Sequence, residues 1–203
     1  METRTTSFEG TTGRIAGAVM ARMNRDMEHA AIDELDPPPH AAVLSIGFGP
    51  GAGIAALMPR LPEGRVAGID PSPTMVDQAR RRNRQAVDAA RVSLARAAAE
   101  SIPWPDEAFS GVLAVNSIQL WQPLEAGIRE VARVLAPGGA LVTITHVWAI
   151  EKRAPLEEWI GTATDLLGAS GFAHVAHSTA SFRSGDGLLL RASKPVQANQ
   201  IAP

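Results

Sequence analysis

Four glycines at alternate positions, Gly47, Gly49, Gly51 and Gly53, follow the apolar run Ala41 to Ile46, and a second apolar run from Arg65 ends in the carboxylate of Asp70. An apolar run that breaks into glycines reads as a buried strand opening into a loop whose main chain a ligand can touch. A carboxylate about 20 residues beyond such a loop stands where an α/β nucleotide site grips ribose hydroxyls. Together the two segments describe a pocket for an adenosine-containing cofactor. Two blander roles compete: the glycines could serve only a tight strand-to-helix turn, and Asp70 could cap the next helix. Gly47-x-Gly49-x-x-Ala52 also fits the dinucleotide fingerprint, so NAD is the rival cofactor, although Pro50 removes a backbone donor that a pyrophosphate would use. His146 follows the fifth strand on the edge that faces the crevice, where an imidazole can act as general base; the competing reading is a partly exposed loop histidine. Trp104, Trp121 and Trp148 fall in loops or after strand ends, where an indole either lines a pocket or covers the core.

The elements that hold these residues follow from periodicity. Residues 1–12 are polar and aperiodic, which predicts a mobile end. From Arg14 to Leu35 apolar residues recur every four positions, which predicts an amphipathic helix that Pro37-Pro38-Pro39 ends. Strands are expected at about 42–46, 65–69, 92–95, 109–115 and 140–145. Helices are expected from the glycine loop to Met58, after Ser72-Pro73, from Pro123 to Leu135, and from Pro155 to Leu167. Two late strands, about 173–178 and 188–192, flank Ser184-Gly185-Asp186-Gly187 as a hairpin. Five strands alternating with helices and then a hairpin predict an α/β fold: one doubly wound, Rossmann-like, seven-stranded sheet, mostly parallel with an antiparallel edge strand, and helices on both faces.

The chain has 203 residues and 21.4 kDa, room for one such domain. A net charge of -2, from 19 basic and 21 acidic residues, argues against nucleic acid or an anionic membrane as partner. The arginines at 80, 81, 82 and 84 complement a helix C-terminus. There is no cysteine, and the five histidines lack a metal-ligand spacing, so no metal is implied. No apolar run suits a signal peptide or a membrane span, and the expected location is cytoplasmic.

With these residues placed, the sequence resembles the class I S-adenosylmethionine-dependent methyltransferases, in the small subgroup related to ubiquinone and menaquinone biosynthesis enzymes. The likeness runs from about Gly13 to Pro195. VLSIGFGPGAG is similar to the cofactor loop, GIDPSPTMV to the ribose motif, AESIPWPDEAFSGVLAVNSIQLW to the third and fourth strand region, and EVARVLAPGGALV to the helix and turn before strand five. The last element has no counterpart in the dehydrogenase fingerprint, which favours S-adenosylmethionine over NAD.

The resemblance implies a set of roles. Gly47, Phe48 and Gly49 would pass under the methionine part of the cofactor, and Asp70 would hold the ribose hydroxyls. Pro71 and Met75 would border the adenine, Ala98, Ala99 and Glu100 would run past its edge, and Asn116, Ser117 and Ile118 would lie beneath the sulfonium. Residues 13–36 would form a lid over a core at 41–195, with Met20, Asn24, Gln119, Trp121 and Trp148 shaping the substrate pocket. His146 would be the catalytic base. A small-molecule acceptor is implied, and the apolar N-terminal helix is free to pack on a second copy of the chain. The chain departs from the family where carboxylates are usual: Ser45 precedes the first glycine, Ala98 stands at the adenine amino group, and Ser110 follows the phenylalanine of strand four. Gln119 stands where relatives often carry histidine. These departures keep open a protein of the same fold that binds the cofactor without turnover, or one that catalyses a different reaction. A nucleic-acid methyltransferase is disfavoured, because NSIQ replaces an NPPY-like motif after strand four.

Overall fold

A computed structural model describes residues 24–196. The first described helix, α1 (Arg25–Leu35), is the C-terminal part of the helix expected from Arg14, and Met20 lies outside the described residues. It is followed by β1 (Ala42–Ile46), α2 (Ala52–Leu57), β2 (Arg65–Asp70), α3 (Pro73–Arg82), α4 (Arg84–Asp88), β3 (Val92–Arg96), β4 (Phe109–Val115), α5 (Leu124–Val134) and β5 (Leu135–His146). The chain then forms α6 (Val147–Glu151), α7 (Leu156–Ala169), β6 (Ala173–Phe182) and β7 (Gly185–Ser193).

The strands form one seven-stranded sheet in the order β3-β2-β1-β4-β5-β7-β6. β1 to β5 pair in parallel, while β7 runs antiparallel to both β5 and β6. The reversed strand therefore sits one place in from the edge, because the hairpin folds β7 against β5 and leaves β6 outermost. Strand alternation splits the apolar residues between two faces. One face packs Leu44, Ile46 and Val112 against Ile128 and Val131 of α5 and Ile160 and Leu167 of α7. The other packs Val43, Val66 and Ile144 against Met27, Ala31 and Ile32 of α1, Ile54 of α2 and Ala79 of α3. With both faces covered, the central strands read as near-continuous apolar runs, which is why they were visible in the sequence.

Three boundaries differ from the sequence reading. β5 begins at Leu135 rather than Ala140, because Gly138 and Gly139 exchange backbone hydrogen bonds with Lys194 and extend the pairing through the Pro-Gly-Gly segment. The helix after Ser72-Pro73 breaks at Asn83, whose buried Nδ2 donates to the carbonyls of Gly51 (3.1 Å) and Ala79 (3.0 Å). β6 and β7 also run longer than expected, leaving Arg183-Ser184 as the turn. Among the described residues, no helix is long and apolar enough to cross a membrane.

β1 leads to β2 on one side and neighbours β4 on the other, so the strand order reverses between β1 and β4. Ligands of open α/β sheets bind outside the carboxyl ends of the strands at such a point. The loops there follow Ile46, Asp70, Arg96, Val115 and His146, which are the places the sequence reading singled out.

Candidate functional site

The glycine loop begins by hydrogen bonding to β2: Gly47 N donates to the carbonyl of Ile69 at 2.8 Å. Gly47 has φ +69° and Gly49 has φ +53°, left-handed values that favour glycine. The two differ in surroundings. A Cβ on Gly47 would lie 2.3 Å from Ser117 Oγ, so the loop is pressed against the segment after β4. Around Gly49 no atom of the described residues lies within 4 Å of where a Cβ would be, so this turn of backbone borders open space among them.

Asp70 closes the loop from below. Its Oδ2 accepts from Gly49 N and its Oδ1 from Ser72 N, both at 2.9 Å. The residue is only 7 % exposed, and burial pushes its carboxyl above the usual carboxylate range, against the pull of the Ser72 and Gly49 donors. Each carboxylate oxygen keeps a second lone pair, so the group can accept a pair of hydroxyls while it braces the loop.

Of the residues expected to border an adenine, Pro71 is exposed and Met75 is buried in the first turn of α3, whose N-terminus Ser72 caps by accepting from Met75 N at 3.4 Å. Ala98 is exposed. Glu100 accepts from Gln122 N at 2.6 Å and so ties the loop after β3 to the loop before α5. Beneath these loops lies a network with no signature in the sequence pattern. Arg133 of α5 donates to the carbonyls of Trp104 (2.8 Å) and Ile102 (2.9 Å), to Asp106 (2.9 Å) and to both oxygens of Glu130. Glu130 Oε2 also accepts from Ile102 N at 2.8 Å, so the whole 97–107 loop is pinned to α5.

Beyond β4, Asn116 has φ +51°, and its Oδ1 accepts from His146 N at 2.9 Å. Its Nδ2 lies 3.5 Å from Met27 Sδ, which links the loop to α1. Gln119 Nε2 donates to the Asn116 carbonyl at 3.1 Å, and Gln119 Oε1 accepts from Thr145 Oγ1 at 3.5 Å. His146 is 4 % exposed, and among the described residues its Nδ1 has no hydrogen-bond partner. Burial pulls its pKa below the usual histidine value, with the Asp186 backbone and the Asp26 charge opposing, so the ring is neutral at pH 7. The structure thus replaces the expected alternative, a partly exposed loop histidine, with a sequestered one. Trp148 stacks on it at 5.5 Å, is itself 49 % exposed, and carries Lys152 Nζ 4.4 Å above its ring.

Other expected site residues are placed differently. Trp121 is a core residue, not a pocket wall. It is 6 % exposed, its ring covers Gly127 of α5, and its Nε1 donates to Ser117 Oγ at 3.1 Å. Phe48, Ala99 and Ile118 also turn their side chains into the apolar clusters, Phe48 against Gly68 of β2, which leaves only their backbones to meet a ligand. Trp104 packs edge-on against Phe109 at 5.8 Å. Asn24 precedes α1, and its carbonyl accepts from Glu28 N.

One group was missed. Glu28 of α1 rests its carboxylate on the first turn of α2, where a Cβ on Gly53 would be 2.0 Å from Oε2 and 2.9 Å from Oε1. Burial alone raises its pKa to about 7. The signal in the sequence was a charge in the same helical row as Ile32 and Leu35, both buried. Glu28 also borders an open cleft of about 1500 Å³ between α1, α2, the end of α3 and the β6-β7 turn. That cleft adjoins the α2 end of the glycine loop and does not enclose Gly49 or Asp70.

An open glycine turn, a braced carboxylate on the neighbouring strand and, at the α2 end of the loop, a carboxylate without a partner among the described residues fit a nucleoside joined to a cationic amino acid. Comparison with known proteins agrees. Residues 43–139 match the family described as "Methyltransferase domain". The chain is 32% identical over 125 residues to the uncharacterized methyltransferase YdaC of Bacillus subtilis, covering 62% of this chain and 67% of that one. It is 26% identical over 123 residues to the ubiquinone/menaquinone biosynthesis C-methyltransferase UbiE of Geotalea daltonii, covering 60% and 52%. The match thus spans about two thirds of the first relative and about half of the second. In fold, the chain superposes on the [4+2]-cyclase SpnF with a TM-score of 0.70 at 21% identity, over 84% of this chain and 80% of that one. The chain belongs to the class I S-adenosylmethionine-dependent methyltransferases.

Proposed function

We propose that the chain transfers the methyl group of S-adenosylmethionine to a small-molecule acceptor that loses a proton, and that His146 takes that proton. The observation that carries this reading is the Nδ1 of His146, buried and without a partner among the described residues, beside Asn116 at the carboxyl edge of the sheet. The bound cofactor supplies an electrophilic methyl carbon on a sulfonium leaving group. The chain's part is to hold the nucleoside by Asp70 and the Gly47–Gly49 backbone, and to align the acceptor in a site from which water is excluded. His146, neutral at pH 7 and held by the bond from its backbone N–H to Asn116, is suited to accept a proton from a hydroxyl or an activated carbon. Trp148, stacked on His146, and Gln119, bonded to Asn116, would bound the acceptor. The name of the quinone-pathway relative supports a small organic acceptor.

A second reading rests on Ser45 and Ala98, where usual carboxylates are missing: a protein that holds the cofactor and does not transfer its methyl group. One experiment separates the two. Purified protein is incubated with S-adenosylmethionine and a panel of small hydroxylated aromatic and carboxylic acceptors, and S-adenosylhomocysteine is quantified. Acceptor-dependent product that falls by two or more decades in His146→Asn supports the proposal. Cofactor binding without product for any acceptor supports the second reading, and unchanged turnover in His146→Asn removes His146 from the mechanism.

A further inference from the structure

β1 alternates its side chains between the two faces of the sheet. Val43 packs on the α1 side and Leu44 and Ile46 on the other, which places Ser45 on the α1 side as well. The family resemblance implies a carboxylate at the position of Ser45, close to the cofactor's ammonium group, and this chain has a serine there. α1 crosses this same face, with Met27, Ala31 and Ile32 packed in the cluster that contains Val43. From it Glu28 extends to the α2 end of the glycine loop and lays both oxygens against Gly53, which only a residue without a Cβ allows. Among the described residues no hydrogen bond or opposite charge meets that carboxylate. Partly buried carboxylates without partners are costly, and they persist where a ligand supplies the missing partner.

We propose that Glu28, delivered by the N-terminal helix, receives the α-ammonium of S-adenosylmethionine in place of the strand-end carboxylate that this chain lacks. The inference rests on the cofactor assignment above and adds to it a residue from outside the usual motifs. It also makes cofactor binding and the docking of α1 one event. Asp26 Oδ2 accepts from Arg183 N at 2.8 Å, so α1 is latched to the β6-β7 turn while Glu28 faces the loop. The charged groups that line the same cleft are Arg25, Asp26, His29 and Asp33 from α1, Arg82 from α3 and Arg183 from the turn, while α2 contributes only alanines.

The test is calorimetric titration of the full chain and of Glu28→Gln with S-adenosylmethionine and with 5′-methylthioadenosine, which has the same nucleoside and no amino-acid part. The variant should bind S-adenosylmethionine about tenfold or more weakly and bind 5′-methylthioadenosine as the parent does. At pH 6 the parent should release most of a proton on binding S-adenosylmethionine, read from titrations in two buffers of different ionisation enthalpy, and none on binding 5′-methylthioadenosine. That second readout needs no variant, so it decides the matter even if Glu28→Gln folds poorly. Equal loss of both ligands in the variant, or unchanged affinity with unchanged proton release, overturns the role of Glu28. If the parent binds neither ligand, the cofactor assignment itself fails.

Discussion

Replacing Gly53 by alanine should stabilise the ligand-free protein, although the residue belongs to the cofactor loop. Gly53 lies in α2 without a left-handed φ, so alanine is compatible with its backbone. The exchange gains about 1 kcal/mol of helix propensity. The new methyl group would sit 2.0 Å from Glu28 Oε2, so the flexible carboxylate must swing away into the adjoining cleft. That movement rehydrates it. A carboxyl raised from 4.5 to about 7 in the folded state favours folding only while it is protonated; its contribution is lost as pH rises through about 7. In the parent the cost is about 1 kcal/mol at pH 5 and at most about 3 kcal/mol at pH 8. Gly53→Ala should therefore gain about 1 to 2 kcal/mol at pH 5 and up to about 4 kcal/mol at pH 8, while weakening S-adenosylmethionine. Urea denaturation at the two pH values measures both gains. A destabilised variant, or a gain that is the same at pH 5 and pH 8, would refute the account of Glu28.

Three further outcomes follow from the site. Asp70→Asn removes the charge proposed to hold the ribose, so both S-adenosylmethionine and 5′-methylthioadenosine should bind about 10- to 100-fold more weakly by calorimetry, unlike the selective loss expected at Glu28. Arg133→Met leaves the carbonyls of Ile102 and Trp104 without their side-chain donor and Glu130 with only the bond from Ile102 N, and should cost about 2 to 3 kcal/mol in urea denaturation at pH 7. Because Arg133 holds the Glu130 carboxyl below 4.5, that difference is present above pH 4.5 and should shrink as pH falls below it. Burial lowers the pKa of His146, so the acid limb of methyl transfer should have its midpoint below 6.5, and His146→Asn should abolish that limb in a pH-rate series.

Strands and turns were legible because burial on both sheet faces makes each central strand a continuous apolar run, and because Gly47, Gly49 and Pro73 each solve a local backbone problem. Asp70 was legible for the same local reason: it ends a strand. Side-chain direction was not. Trp121, Phe48 and Ile118 lie in loops at the correct edge of the sheet, yet whether each turns into the core depends on α5, on Gly68 and on neighbours far away in sequence. Glu28 was overlooked because its partner surface, the bare backbone of Gly53, is more than twenty positions away and carries no side chain to pair with. The Arg133 network escaped for a related reason, since two of its acceptors are the main-chain carbonyls of Ile102 and Trp104, a group every residue has.

The stacking of Trp148 on His146 makes the site optically addressable. Of the four indoles, Trp148 alone is half exposed, while Trp121 and Trp159 are buried and Trp104 leans on Phe109. An imidazolium quenches an indole that it touches, and a neutral imidazole does so far less. Emission from Trp148 should therefore dim as acid charges its neighbour and respond again when an acceptor fills the space beside it, so the protein carries its own fluorescent indicator of the proposed base.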